Sequence, residues 1–146
     1  MRLEALNTIM STVASRSTVP KQNIFGAIIQ CPSTSRYLMV LGRKAMKWSF
    51  PKGHAEVAES DFECLVREIF EETGYIDTEM PYPIRNIQLK VGSYYEFHMS
   101  EEFEIKPVDT KEIVEGKWMT KEEILALEMN IDASYYFRIL LAPAAP

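Results

Sequence analysis

The sequence predicts a single α/β domain, and three observations carry that prediction. A helix signalled at both ends runs over Asp61–Thr73; β-rich apolar runs lie on either side of it, at residues 23–30, 36–41, 85–91 and 94–99. The third observation is balance: 146 residues, 47% hydrophobic and 25% charged, suit one soluble core. No run of apolar residues approaches the length of a membrane span, and Glu4, Asn7, Ser11 and Ser15 interrupt the stretch where a signal peptide would need an apolar block. A cytoplasmic protein with no membrane partner is expected. Cys31 and Cys64 form no disulfide framework, and with only His54 and His98 beside them they make no zinc pattern, so both read as buried thiols. A net charge of −5 and a pI near 5.1 exclude a surface that grips nucleic acid over its whole extent, while leaving room for a local basic patch.

In chain order, Leu3, Leu6, Met10 and Val13 suit a short amphipathic helix, so residues 1–20 read as an N-terminal arm and 21–146 as the domain. Residues 15–22 form a linker, after which NIFGAIIQ (23–30) and RYLMVL (36–41) are two buried strands joined through Pro32 and Ser33. The segment 42–47 (GRKAMK) carries Arg43, Lys44 and Lys47, either a solvated turn or a set of cations facing phosphates.

Ser60 followed by Glu63 is a capping box and Gly74 a C-terminal stop, which together bound the helix. At 100° per residue, Phe62, Leu65, Val66, Ile69 and Phe70 share an apolar face, while Glu68, Glu71 and Glu72 share a narrow acidic one. Like charges at these spacings repel, and Glu71 and Glu72 also sit at the negative end of the helix dipole. A hard divalent cation with oxygen ligands, Mg²⁺ or Mn²⁺, accounts for such a cluster and leaves coordination places for water and phosphates. Arg67 is able to hold a carboxylate by a bidentate bond, with Glu59 as the obvious partner.

Beyond the helix, residues 76–84 with Pro81 and Pro83 form a loop, and 85–91 and 94–99 form a hairpin around Gly92 and Ser93. His98 reads as a packed or surface residue, and His54 as a loop residue that either touches a phosphate or simply lies on the surface. Residues 101–106 are expected to continue the sheet, 107–110 to turn, and Thr120 with Glu123 to cap a second helix.

Gly53, Glu59 and the run Arg67-Glu68-Ile69-Phe70-Glu71-Glu72-Thr73-Gly74-Tyr75 resemble the Nudix box, with Tyr75 larger than the aliphatic residue usual there. The resemblance implies an α/β/α sandwich with a mixed central sheet and hydrolysis of a nucleoside-diphosphate linkage by divalent ions. It implies metal roles for Glu68, Glu71, Glu72 and the Gly53 carbonyl, a base role for one of the glutamates, and orientation of the set by Arg67 and Glu59. The further stretches WSFPKG (48–53), GAII (26–29) and KEIVEGKW (111–118), with Ala142 and Pro143, are similar to the catalytic domain of the eukaryotic mRNA-decapping enzymes. That likeness implies a ligand or general-base role for Glu112, and capped RNA as substrate; a small dinucleoside polyphosphate or inositol pyrophosphate is the other candidate, and a non-catalytic nucleotide-binding module the third. Arg43, Lys44, Lys52 and Trp48 are the expected substrate contacts, and Tyr37, Trp48, Tyr94 and Tyr95 the expected stacking platforms for a methylguanine. Twenty residues ahead of the domain are too few for the helical regulatory domain of those enzymes, which leaves a regulatory partner unassigned, and residues 135–141 match the apolar part of their RNA-binding helix without its lysines.

Overall fold

The computed structural model of the chain describes residues 23–76 and 81–143. The expected N-terminal arm, the linker before the domain and part of the loop after the acidic helix lie outside the described residues. The strands are β1 (Ile24–Cys31), β2 (Arg36–Gly42), β3 (Trp48–Ser49), β4 (Lys52–His54), β5 (Arg85–Gln88), β6 (Ser93–His98) and β7 (Ile113–Thr120). The helices are α1 (Asp61–Thr73), α2 (Lys121–Leu125) and α3 (Ile131–Tyr135), the last running on into a π-helical turn, Tyr136–Leu140.

All seven strands join one mixed sheet. The order β3-β2-β1-β6-β5 forms its spine, with β7 on β2 and β4 on the start of β1. β1 and β6 are parallel, from Phe25 opposite Ser93 to Gln30 opposite His98; the other pairs are antiparallel. Alternation along the strands feeds two cores. Ala27, Ile29, Leu38, Val40, Tyr95 and Phe97 point toward α1, where Phe62, Leu65 and Ile69 meet them. Ile28, Tyr37, Met39, Tyr94 and Met119 point the other way, toward Ile124, Ala133, Tyr136 and Phe137. The result is helix, sheet, helix, the sandwich that the family resemblance implied.

A register shift in the β2–β7 ladder settles how β7 serves both layers. Leu41 is opposite Glu115 and Gly42 opposite Ile113, so one residue of β7 is extra. That residue lets Ile113 and Trp118, five positions apart, face the same core. No helix among the described residues is long and apolar enough to cross a membrane.

Several expectations are corrected. Phe70 is 39% exposed, because the arc of α1 covered by the sheet is narrower than its apolar arc. β5 ends at Gln88; Val91 is exposed, and its N–H, with that of Gly92, turns to the buried carboxylate of Asp132 at 2.8 and 2.9 Å. Residues 101–106 form no strand: Lys106 N–H donates to the Thr73 carbonyl at 2.8 Å, packing this segment on the end of α1. Tyr37, Tyr94 and Tyr95 are core residues, not stacking platforms. The Tyr94 hydroxyl donates to Asp132 at 2.8 Å, and burial, with Asp132 beside it, pushes this phenol far above its ordinary range.

Candidate active site

The site is built by α1 and the chain that leads into it. Both cap signals work as read. Ser60 accepts from Glu63 N–H at 3.1 Å while the Glu63 side chain accepts from Ser60 N–H, and Gly74 ends the helix at φ 80°. The same helix therefore presents Ile69 to the core and its acidic stripe to the edge where β4 runs.

β4 sits close because two glycines permit it. At Gly26 a Cβ would lie 2.7 Å from both Lys52 Cβ and the Tyr94 ring. At Gly53 a Cβ would overlap the carboxylate of Glu68, so that carboxylate rests on the Gly53 backbone. The Cys64 thiol, buried as expected and with its pKa pushed up to about 12 by burial, donates to the Gly53 carbonyl at 3.6 Å.

Arg67 is the hub. Its Nε and Nη2 grip Glu59 at 2.7 and 3.0 Å, Nη1 reaches Glu68 at 2.9 Å and Glu71 at 3.1 Å, and Nη2 also donates to the His54 carbonyl at 2.9 Å. The expected pairing with Glu59 is thus present as a fork, and the bond to His54 was not anticipated. Hydrogen bonding to Arg67 holds the Glu59 carboxyl below its ordinary value, and the Arg67 guanidinium is raised in turn, first by Glu59.

Glu68 and Glu72 are 6% and 5% exposed. Burial is the main cause that lifts Glu68 to about 7 and Glu72 to about 8, with Glu112 among the neighbouring charges that push both upward. Glu72 keeps one donor, the Lys52 N–H at 3.1 Å. Glu112 is exposed, one residue before β7.

The donor set expected from the sequence, four carboxylates and a backbone carbonyl, suits a hard divalent ion in its chemistry, and two of the carboxylates, Glu68 and Glu72, are buried against their preference for water. Among the described residues no three acidic, histidine or cysteine side chains converge closely enough to hold an ion as they stand. Glu68 and Glu71 instead share Arg67.

The expected substrate contacts fall differently. Lys44 is exposed on the β2–β3 turn, and Lys52 lies in β4 with its backbone bonded to Glu72. Arg43 is exposed, yet its Nε donates to the Thr110 carbonyl at 3.1 Å and its N–H to the Glu112 carbonyl at 2.7 Å. Trp48 is half-buried against the second core and fastened by main-chain bonds to Glu128 and Asn130, both 2.9 Å. His54 and His98 are both exposed, and His54 serves Arg67 through its carbonyl. Sequence reasoning missed Asp109, whose side chain accepts from the N–H groups of Lys111 and Glu112; an Asp two and three residues ahead of those donors is a turn signal that pointed to it.

Comparison with known proteins agrees with this geometry. The NUDIX domain model matches residues 20–139. The m7GpppN-mRNA hydrolase of Saccharomyces cerevisiae is 33% identical over 120 residues, 76% of this chain and 12% of the yeast protein. The mRNA-decapping enzyme subunit 2 of Arabidopsis thaliana is 34% identical over 100 residues, 65% of this chain and 27% of the plant protein. The chain thus spans a small part of the curated relatives it matches. Among solved structures, a Caenorhabditis elegans Ap4A hydrolase superposes with a TM-score of 0.65 at 16% identity, covering 81% of this chain and 95% of that one. The NUDIX domain of Shewanella oneidensis NrtR, complexed with ADP ribose, also gives 0.65, at 15% identity over 90% of this chain and 97% of that one. Those two likenesses bear on the fold alone. By the family model and by the box that Gly53, Glu59, Arg67, Glu68, Glu71, Glu72 and Gly74 complete, the chain belongs to the Nudix family.

Proposed function

We propose that the chain is a divalent-metal-dependent pyrophosphohydrolase of the decapping type, which cleaves capped RNA to methyl-GDP and a 5′-monophosphate RNA in the cytoplasm. The observation that carries the substrate is the identity of 33% and 34% with decapping enzymes of yeast and plant over the region that holds the site. The carboxylate helix supports the chemistry, since none of its three glutamates is replaced.

Glu68, Glu71, Glu72, the Gly53 carbonyl and Glu112 are the groups that would hold Mg²⁺ or Mn²⁺. When bound, the ion supplies neutralisation of phosphate charge and a lowered pKa for the attacking water. Arg67 binds Glu68 and Glu71 from one side while Glu59 fixes Arg67, so these two carboxylates are held side by side on one guanidinium, which an ion has to share. Because Arg67 ties down an oxygen of Glu71, and Glu112 is carried by a separate segment, Glu112 is assigned as proton acceptor and Glu71 as ligand. Lys44 and Lys52 are assigned to substrate phosphates. Trp48 is the one expected stacking aromatic that is not a core residue, and it is kept as the candidate for the cap.

The test compares, with Mg²⁺, a capped RNA of 30 nucleotides or so, free cap dinucleotide, diadenosine tetraphosphate and an inositol pyrophosphate. Capped RNA is expected to lead in kcat/KM by at least about 10-fold, a difference of ~1.4 kcal/mol in transition-state binding. A preference for any of the small compounds would replace the decapping reading with one of small-molecule hydrolysis.

A further inference from the structure

The segment that carries Glu112 has its own scaffold, centred on Asp109. On one side, the N–H groups of Val108 and Asp109 both donate to the Glu71 carbonyl at 2.9 Å, filling an acceptor that the end of α1 leaves open. On the other, Asp109 Oδ1 accepts from Lys111 N–H at 3.2 Å and Glu112 N–H at 3.3 Å, and the Asp109 carbonyl accepts from Ile113 N–H at 3.0 Å. Every polar group of Asp109's backbone, and one side-chain oxygen, thus joins the carboxylate helix to the main chain around Glu112. Arg43, the residue after β2, braces the same segment through its bonds to the Thr110 and Glu112 carbonyls. A turn that only started β7 would need no side chain at Asp109, because the backbone bond to Ile113 already begins it. The carboxylate adds something else: it fixes the two peptide N–H groups on either side of the Lys111 Cα and so sets where Glu112 leaves the chain.

We propose that Asp109 is a positioning residue for Glu112, holding it at a fixed offset from the Glu71 end of α1, with the Arg43 guanidinium as a second brace. The inference rests on the assignment of Glu112 as proton acceptor. Asp109 itself touches no reacting atom. An Asn at this position keeps an acceptor oxygen and an Ala does not, which separates geometry from charge.

The test has two arms. In the first, amide hydrogen exchange is followed by NMR in EDTA for wild type, Asp109→Ala and Asp109→Asn. Exchange at Lys111 and Glu112 is expected to quicken about 10-fold in the Ala variant and little in the Asn variant. In the second, hydrolysis with Mg²⁺ is measured on the better wild-type substrate of capped RNA and diadenosine tetraphosphate. Asp109→Ala is expected to lower kcat by about 10- to 100-fold with little change in KM, Asp109→Asn to recover most of it, and Asp109→Ala added to Glu112→Gln to cost almost nothing further. Unchanged exchange in the Ala variant, or an equal loss in both backgrounds, overturns the positioning role and leaves Glu112 standing. A Glu112→Gln variant at the wild-type rate overturns the proton-acceptor assignment, and the role of Asp109 with it.

Discussion

Glu72 in the absence of a cation is a carboxylate at odds with its surroundings, and the consequence is measurable as stability. Its folded value of about 8 stands above the ordinary 4.5, and the difference, at ~1.4 kcal/mol per pH unit, makes ionisation of the folded form cost on the order of 4–5 kcal/mol. The sign follows from proton counting. Between 4.5 and about 8 the folded protein binds more protons at this position than the unfolded chain, so stability falls as pH rises through that window. Below 4.5 the contribution is whole; above about 8 it is lost. Glu68, at about 7, adds to the fall in the same direction. Urea unfolding in EDTA at pH 5.5, 7 and 8.5 is therefore expected to show a steadily less stable wild type. Glu72→Gln, which stays neutral, should flatten the profile and be the more stable protein at pH 8.5. Mg²⁺ should restore the wild type at high pH and the variant far less. A wild-type stability that is flat or rises across this range, or a Gln variant that is the weaker protein at pH 8.5, would show that Glu72 is not held protonated by its burial.

Gly53→Ala places a methyl group where the Glu68 carboxylate lies, so thermal melts should show a loss of about 1–3 kcal/mol, and Mg²⁺-dependent turnover should fall well below wild type; wild-type turnover would contradict the contact. Arg67→Lys cannot reproduce a fork that spans Glu59, Glu68, Glu71 and the His54 carbonyl, and unfolding should show a loss of about 2–4 kcal/mol together with reduced turnover. Asp132→Asn keeps one acceptor oxygen for the three donors Val91, Gly92 and Tyr94; calorimetry should show about 1–3 kcal/mol of destabilisation, with turnover by the folded fraction unaltered.

Much of the site was legible because its signals are local. The capping box, the stop at Gly74 and the 3.6-residue period are all contained within a few turns of α1, and they fix which way Glu68 and Glu72 face. The hairpin of β5 and β6 was legible for the same reason. What escaped depends on distant partners. β3 and β4 are two and three residues long, and β4 exists because Gly26 lets Lys52 approach it; no property of residues 48–54 by themselves announces that pairing. Tyr37 and Tyr94 read as stacking platforms only while the second face of the sheet is assumed open, and it is α3 and its π-turn that close it. Residues 101–106 alternate like a strand, but the Lys106 N–H turns to the Thr73 carbonyl at the end of α1. The bond from the Arg43 guanidinium to the Thr110 carbonyl escaped because nothing in the sequence places that carbonyl beside it.

Metal-dependent hydrolysis of a cap-type diphosphate linkage, proposed for the α1 carboxylates, is read out by single-turnover assay of cap-labelled RNA with wild type and Glu72→Gln, each in EDTA and in Mg²⁺. Release of methylated GDP is expected from the wild type with Mg²⁺ and from none of the other three combinations. Release in EDTA, or from Glu72→Gln with Mg²⁺ at the wild-type rate, would contradict it.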